Sequence, residues 1–189
     1  MIGITGTPGT GKKTIAPRVA AILGVPAVSL GTIAAGIAEP RGTELEVDTK
    51  VLRKKLLAAS PRRAVVYGHL VPSVVRKSEA EMVAVLRCEP RALKARLSRR
   101  GYPPDKVREN VEAELIGVVL DECVSRFGRE KVREYDTTRG NGLAVARSLA
   151  EDLRSKPSPP ASWIDWTLDY DSPTKLTSLL SERVAPAST

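Results

Sequence analysis

The sequence predicts an α/β fold with a parallel five-stranded sheet and helices on both faces. Short β-branched segments alternate with helical patterns along residues 1–154, which is typical of this fold class. The segments are apolar at nearly every position, as expected for strands buried on both faces of a parallel sheet. A length of 189 residues with 42% apolar side chains suits one such domain with a short C-terminal appendix.

The individual elements follow from these apolar patterns and from the turn residues between them. Strands are predicted at residues 2–5, 25–30, 64–67, 82–86 and 132–135. Helices are predicted at residues 12–23, 48–59 and about 143–153, with another starting at Pro90. The longest helix is predicted from Pro103 to near Gly128, because apolar side chains recur there at three- and four-residue spacing. Residues 31–47 are predicted to be irregular or partly helical.

The C-terminal part, residues 155–189, is predicted to be a proline-rich linker followed by an amphipathic tail. Prolines cluster at residues 157–160 and interrupt the α/β pattern. Ser172 and Pro173 are typical of a helix start, and the apolar spacing continues this helix to Val184. The tail is too short to fold alone, so it either packs on the main domain, which we favour, or binds a partner.

Composition narrows the partners and the location. Lysine and arginine outnumber aspartate and glutamate by 30 to 22, which favours anionic partners such as nucleotides, RNA or ribosomal surfaces. The seven aromatic residues are too few for a protein that stacks single-stranded bases. No secretory leader or membrane span is evident, so a cytoplasmic location without a membrane partner is expected. Cys88 and Cys123 are expected to be reduced and buried.

A glycine-rich loop between the first strand and the first helix carries the strongest motif. Residues 6–12 match the first seven positions of the phosphate-binding pattern GxxxxGK[ST], whose amides and lysine hold nucleotide phosphates. The predicted ATP-binding residues of this loop are Gly6, Thr7, Pro8, Gly9, Thr10, Gly11, Lys12, Lys13 and Thr14. Lys13 stands where the pattern has a hydroxyl that coordinates Mg²⁺. We therefore expect Mg²⁺ to accompany ATP and to be held through Thr14 or through water.

Three segments together resemble the adenylate kinase isoenzyme 6 family. They are GTPGTGKKT at the start, VVYGHL at residues 65–70, and ARLSRRGY with the helix that follows it at residues 95–114. The resemblance covers residues 1–153 and implies a P-loop NTPase fold of the nucleoside monophosphate kinase type. It also implies a lid at about residues 99–106 and a monophosphate-binding segment at about residues 29–59.

The resemblance assigns roles to residues outside the loop. It implies that His69 is catalytic, together with Lys12, and that Arg96 and Arg100 contact the transferring phosphoryl group, with Arg100 also binding ATP. Tyr67 stands where the family has an acid. Arg41 and Asp48 are weaker candidates for AMP binding, chosen only by their position. The turn at residues 136–141 is the expected neighbour of the adenine.

The function implied is transfer of a phosphoryl group from ATP to AMP, with accompanying ATPase activity and a link to small ribosomal subunit biogenesis. A small-subunit ribosomal protein and rRNA are then expected partners, and a monomer is the simplest state. Two alternatives stay open. One is a nucleotide-gated ribosome-assembly factor with little kinase activity, and the other is a P-loop kinase of a small metabolite such as shikimate or gluconate.

Overall fold

The computed structural model of the protein describes residues 1–41, 44–155 and 158–181. Its first half contains β1 (Ile2–Thr5), α1 (Lys12–Leu23), β2 (Ala27–Ser29), α2 (Leu30–Ala35), β3 (Glu39–Arg41), β4 (Glu44–Glu46), α3 (Thr49–Ala59), β5 (Val65–Tyr67) and α4 (Val71–Val74). Its second half contains β6 (Met82–Arg87), α5 (Pro90–Arg99), α6 (Pro104–Leu115), α7 (Val118–Phe127), β7 (Val132–Asp136), α8 (Gly142–Ser155), a 3₁₀ helix (Trp166–Tyr170) and α9 (Pro173–Leu180).

The predicted parallel five-stranded sheet is confirmed. Its strand order is β2-β5-β1-β6-β7, and every neighbouring pair is parallel. Helices α2, α3, α4 and α7 pack on one face, and α1 and α8 pack on the other. Consecutive residues of β6 alternate between these two apolar clusters, because successive side chains of a strand point to opposite faces. Because β1 pairs parallel with both β5 and β6, the carboxyl ends of these three strands lie at the same edge of the sheet.

The prediction of one long helix from Pro103 to near Gly128 is wrong. The structure has two helices there, α6 and α7, which are separated at Gly117. Gly117 has a φ of +70° and forms the N-cap of α7. An added Cβ at Gly117 would lie 3.7 Å from the Arg87 guanidinium, so the chain turns directly beside a buried charge. The apolar spacing concealed this break because both helices face the core on either side of it.

Two further elements differ from the prediction. Residues 31–47 contain the end of α2 and a two-stranded antiparallel hairpin, β3–β4, which the sequence analysis did not predict. The second strand is shorter than predicted and begins at Ala27. The Val65 amide donates to the Pro26 carbonyl at 2.9 Å, so pairing with β5 begins just before this strand.

The described part of the C-terminal tail packs on the main domain. Tyr170 and Leu179 are buried in an apolar cluster with Leu93, Leu97 and other side chains of α5 and α6. Ser172 caps α9 by accepting a hydrogen bond from the Lys175 amide, as its sequence position indicated. Of the predicted linker and tail, residues 156–157 and 182–189, including Val184, lie outside the described residues.

The two cysteines are buried and reduced, as the sequence predicted. Cys88 and Cys123 are buried free thiols, and burial raises the pKa of Cys88 to about 11 and that of Cys123 to about 12. Neither thiol is therefore a ready nucleophile at neutral pH.

In the described part of the chain, no helix has the length and apolar content needed to cross a bilayer.

Candidate active site

The glycine-rich loop wraps closely around the carboxyl ends of the central strands. Gly6, Gly9 and Gly11 have φ values of +137°, +96° and +100°, a region that side chains other than glycine rarely enter. A Cβ at Gly6 would lie 2.4 Å from the Leu86 carbonyl oxygen, and one at Gly9 would lie 2.6 Å from a Leu93 methyl group. The first turn of α1 has no side-chain cap, so its first amides have no side-chain acceptor and can bind an anion.

Lys12 is folded back over this loop. Its Nζ donates to the Gly6 carbonyl at 2.5 Å and to the Thr7 carbonyl at 3.0 Å. The pKa of Lys12 is lowered to about 8, chiefly by burial; the negative charge of Glu114 opposes this shift and the positive charge of Arg100 adds to it. The ammonium is thus held in a partly desolvated, electropositive place where a phosphate would stabilise its charged form.

His69 is brought to the same edge of the sheet by the turn after β5. Tyr67 ends this strand opposite Ile4, and Gly68 follows it with a φ of +151°. The His69 side chain is exposed at this edge, and its pKa is lowered by partial desolvation and by the charge of Lys12. The imidazole is therefore neutral at pH 7 and within electrostatic range of the loop lysine.

A cavity of about 310 Å³ lies between the loop, the end of α5 and the turn before α8. Its lining residues are Gly9, Thr10, Gly11, Thr14, Ile15, Arg96, Arg99, Arg100, Thr137, Gly140 and Gly142. The predicted loop, the predicted lid arginines and part of the turn at residues 136–141 thus surround one space. Its size and the three arginines in its lining suit a nucleotide.

The two lid arginines differ in what they contact. Arg96 Nη2 donates to the Thr137 carbonyl at 2.7 Å and to the Thr138 carbonyl at 2.8 Å, so it holds the turn that bounds the cavity. Arg100 ends α5 and acts on Lys12 through its charge. Of these two arginines, Arg100 is the one whose positive charge lowers the pKa of Lys12.

Glu114 is a residue of this site that the sequence analysis missed. Its Oε2 accepts a hydrogen bond from the Thr7 hydroxyl at 2.6 Å. Its Oε1 accepts from Arg87 Nε at 2.8 Å and from the Cys88 amide at 3.0 Å. The side chains of Glu114 and Arg87 are each 2% exposed, so the phosphate loop is fastened to a buried ion pair. The sequence signal for a buried carboxylate was the position of Glu114 on the same face of α6 as Val107 and Val111, because a charge on an apolar face needs a buried partner.

The same ion pair reaches the C-terminal tail. Arg87 Nη1 donates to Glu134 Oε2 at 2.9 Å and to the Ile164 carbonyl at 3.2 Å, and the Ile164 amide donates to Glu134. Burial raises the pKa of Glu134. A continuous polar network therefore links the phosphate loop to the tail through the interior.

Comparison with known proteins identifies the family. A family model described as an AAA domain matches residues 2–117. A protein of Thermococcus gammatolerans named "Putative adenylate kinase" is 38% identical over 90% of this chain and 95% of its own length. A protein of the same name from Pyrococcus furiosus is 37% identical over 90% of this chain and 93% of its own length. The chain belongs to this adenylate-kinase-like family.

Solved structures agree with the predicted P-loop kinase fold. A shikimate kinase from Acinetobacter baumannii, solved with shikimate, superposes with a TM-score of 0.57 over 82% of this chain and 92% of its own. A sulfotransferase from Alicyclobacillus acidocaldarius gives 0.55 over 97% and 96%. Sequence identities are 18% and 11%, so these likenesses concern the fold alone, which hosts more than one reaction.

Asp48, one of the two candidates for AMP binding, is not among the described residues that line the cavity. The Asp48 carboxylate caps α3 by accepting hydrogen bonds from the Lys50 amide at 2.7 Å and the Val51 amide at 3.3 Å. The side chain of Arg41 lies outside the described residues. An AMP-binding role for either residue stays a prediction within the adenylate-kinase-like family.

The side chains at this site do not fit a protein-bound Mg²⁺ ion. P-loop NTPases hold the ion with a loop hydroxyl and an acid near the end of a strand, whereas this chain has Lys13 and Tyr67 there. Thr14 is exposed and lines the cavity. Glu114 lies near Lys12, but both of its oxygens accept hydrogen bonds. In this adenylate-kinase-like chain, no described carboxylate is thus placed to replace the usual acid.

Proposed function

We propose that this chain transfers the γ-phosphoryl group of ATP to AMP, as in the adenylate kinase isoenzyme 6 family that it resembles. The observation that carries the proposal is the convergence of Lys12, His69 and Arg100 at the mouth of the phosphate loop. Its relatives named as adenylate kinases support a nucleotide acceptor. A phosphate oxygen of AMP attacks the γ-phosphorus, the bond to the β–γ bridging oxygen breaks, and two ADP form.

The residues act mainly by position and charge. The loop amides bind the phosphates of ATP, and the Lys12 ammonium moves from the Gly6 and Thr7 carbonyls to the phosphate oxygens. Arg100 stabilises the charge that develops on the transferring group. His69, neutral at pH 7, donates a hydrogen bond from its imidazole N–H to the AMP phosphate and orients it. Water in the place of AMP gives slow ATP hydrolysis.

ADP formation that depends on AMP tests this proposal. We expect AMP to increase the rate of ADP formation by about tenfold or more, because the cavity holds ATP for an acceptor rather than for water. Chromatography of the nucleotides should show two ADP formed for each AMP consumed. Shikimate and gluconate are the control acceptors and should not increase ADP formation. Phosphate release that is unaffected by AMP would contradict the kinase proposal.

A nucleotide-gated role in ribosome assembly is the second candidate. Tyr67 and Lys13 replace two groups that usually promote turnover, and a switch tolerates slow hydrolysis better than a metabolic kinase does. The net charge of +8 favours binding to rRNA, and a small-subunit ribosomal protein is the second partner of this candidate. Salt-sensitive binding to small ribosomal subunits that changes between ATP and ADP would favour this candidate.

Proton uptake should accompany ATP binding above about pH 8. The pKa of Lys12 is lowered to about 8 in the free protein, so its amine is largely neutral at about pH 9. Bound phosphates favour the ammonium and raise this pKa, so binding at that pH takes up about one proton, whereas binding at about pH 7 takes up none. Calorimetry in two buffers of different ionisation enthalpy measures the uptake. Lys12→Arg should abolish it, because arginine stays protonated; equal uptake by both proteins would contradict the assignment.

A further inference from the structure

The phosphate site of this chain is rich in cations and poor in carboxylates. Lys12 and Arg100 act on each other through their charges, and the pKa values of both Lys12 and His69 are lowered in part by neighbouring positive charge. Lys13 adds an exposed ammonium in the first turn of α1, and it has no hydrogen-bond or ion-pair partner within the described ranges. A triphosphate would bring the negative charge that this site lacks.

The carboxylates near these cations already accept hydrogen bonds from other groups. Glu114 shares its oxygens among Thr7, Arg87 and the Cys88 amide. Asp136, at the end of β7, accepts from the amide of Thr138 at 2.8 Å and also from its hydroxyl. A divalent cation at the loop would therefore lie beside ammonium groups without a carboxylate ligand, which is electrostatically unfavourable.

We propose that this chain binds the triphosphate of its nucleotide without a divalent cation, with Lys13 supplying positive charge where the usual loop hydroxyl would hold the metal. The inference rests on the nucleotide binding of the proposed function, and it concerns affinity rather than catalytic rate. The Lys13 ammonium, in the first turn of α1 beside the loop, would supply this charge to the phosphate oxygens. Tyr67, paired with Ile4 at the end of β5, provides no acid that would attract a cation.

Binding of the β,γ-imido analogue of ATP, measured by calorimetry in excess EDTA and in saturating MgCl₂, tests this proposal. Because saturating MgCl₂ converts the analogue to its Mg²⁺ complex, we expect the wild-type chain to bind no more tightly in MgCl₂ than in EDTA, with a Kd that is equal or higher. The double variant Lys13→Thr/Tyr67→Asp restores the usual ligand pair. Its affinity should increase by about tenfold or more when MgCl₂ replaces EDTA, and its affinity in EDTA should fall.

Two single variants guard against misfolding and nonspecific charge effects. Lys13→Thr changes only an exposed side chain, so it should fold and should bind the analogue more weakly in EDTA by about tenfold. Lys175→Thr is the matched control, because Lys175 also lies in the first turn of a helix and is exposed. It should bind like the wild type in both conditions.

The outcomes separate this inference from the proposed kinase reaction. A wild-type affinity that increases by about threefold or more with MgCl₂ overturns the inference, even if ADP formation depends on AMP. An affinity that is equal or lower in MgCl₂, together with AMP-independent phosphate release, supports the inference and contradicts the kinase. Failure to bind the analogue in either condition overturns the inference, and AMP-dependent ADP formation still decides the reaction separately.

Discussion

Replacing Lys12 with alanine is expected to reduce ADP formation by about 100- to 1000-fold. The ammonium is the cation that the loop holds directly against its own carbonyls, in a half-buried place where charge interactions are strong. Removing it leaves the charge that develops during phosphoryl transfer without its nearest stabilising group. The initial rate of ADP formation from ATP and AMP measures the loss.

The fold should survive this change. Burial lowers the pKa of Lys12 below its ordinary value, which means that the charged form is less favourable in the folded chain than in the unfolded one. Alanine removes that cost, so we expect an unchanged or slightly higher melting temperature. Lys175→Ala is the matched control, since it removes an exposed lysine on α9 and should leave the rate unchanged. A Lys12→Ala rate within about threefold of wild type would remove the loop lysine from the mechanism.

Replacing Glu114 with glutamine is expected to lower the free energy of unfolding by about 3 to 5 kcal/mol. The change removes the negative charge that Arg87 faces in an interior where both side chains are 2% exposed. Arg87 keeps its ion pair with Glu134, whose carboxyl is itself disfavoured as an anion by burial. Breaking one side of a buried pair costs more than the pair contributes, because the remaining charge is left incompletely compensated.

A second effect should appear in nucleotide binding. The Thr7 hydroxyl loses its charged acceptor, so the loop is held less firmly and the KM for ATP should rise more than kcat falls. Urea unfolding and steady-state kinetics measure the two effects. Glu112→Gln is the matched control, because Glu112 lies on the same helix and is exposed. Equal losses of stability in the two variants would contradict a special role for Glu114.

The phosphate loop and the sheet were predictable because their signals are local. The loop motif is contiguous, and its glycines, its lysine and the flanking strand and helix all lie within residues 2–23. The strands were also predictable from local sequence, because a strand buried on both faces is apolar at nearly every position. The placement of Arg96 and Arg100 beside the loop followed from the family resemblance and agrees with the cavity lining.

The misjudged elements depended on contacts between distant residues. Gly117 separates α6 from α7 where the chain passes the Arg87 guanidinium. No pattern in the sequence of these helices indicates that Arg87 lies beside them. The β3–β4 hairpin consists of two short strands with little apolar periodicity, so a periodicity analysis does not detect it. The Asp48 carboxylate caps α3, and the predicted role of Asp48 in AMP binding stays a prediction.

The sequence by itself determined the sheet of parallel strands, the phosphate loop, and the replacement of the usual metal-holding groups by Lys13 and Tyr67. Only the tertiary structure decided how the loop is held. Thr7 and Glu114 are 107 residues apart, and Glu114 and Arg87 are 27 apart, so nothing in their local sequence indicates that they meet. They meet because buried polar groups must find partners, and the packing of α6 against the sheet edge decides which partners are within reach.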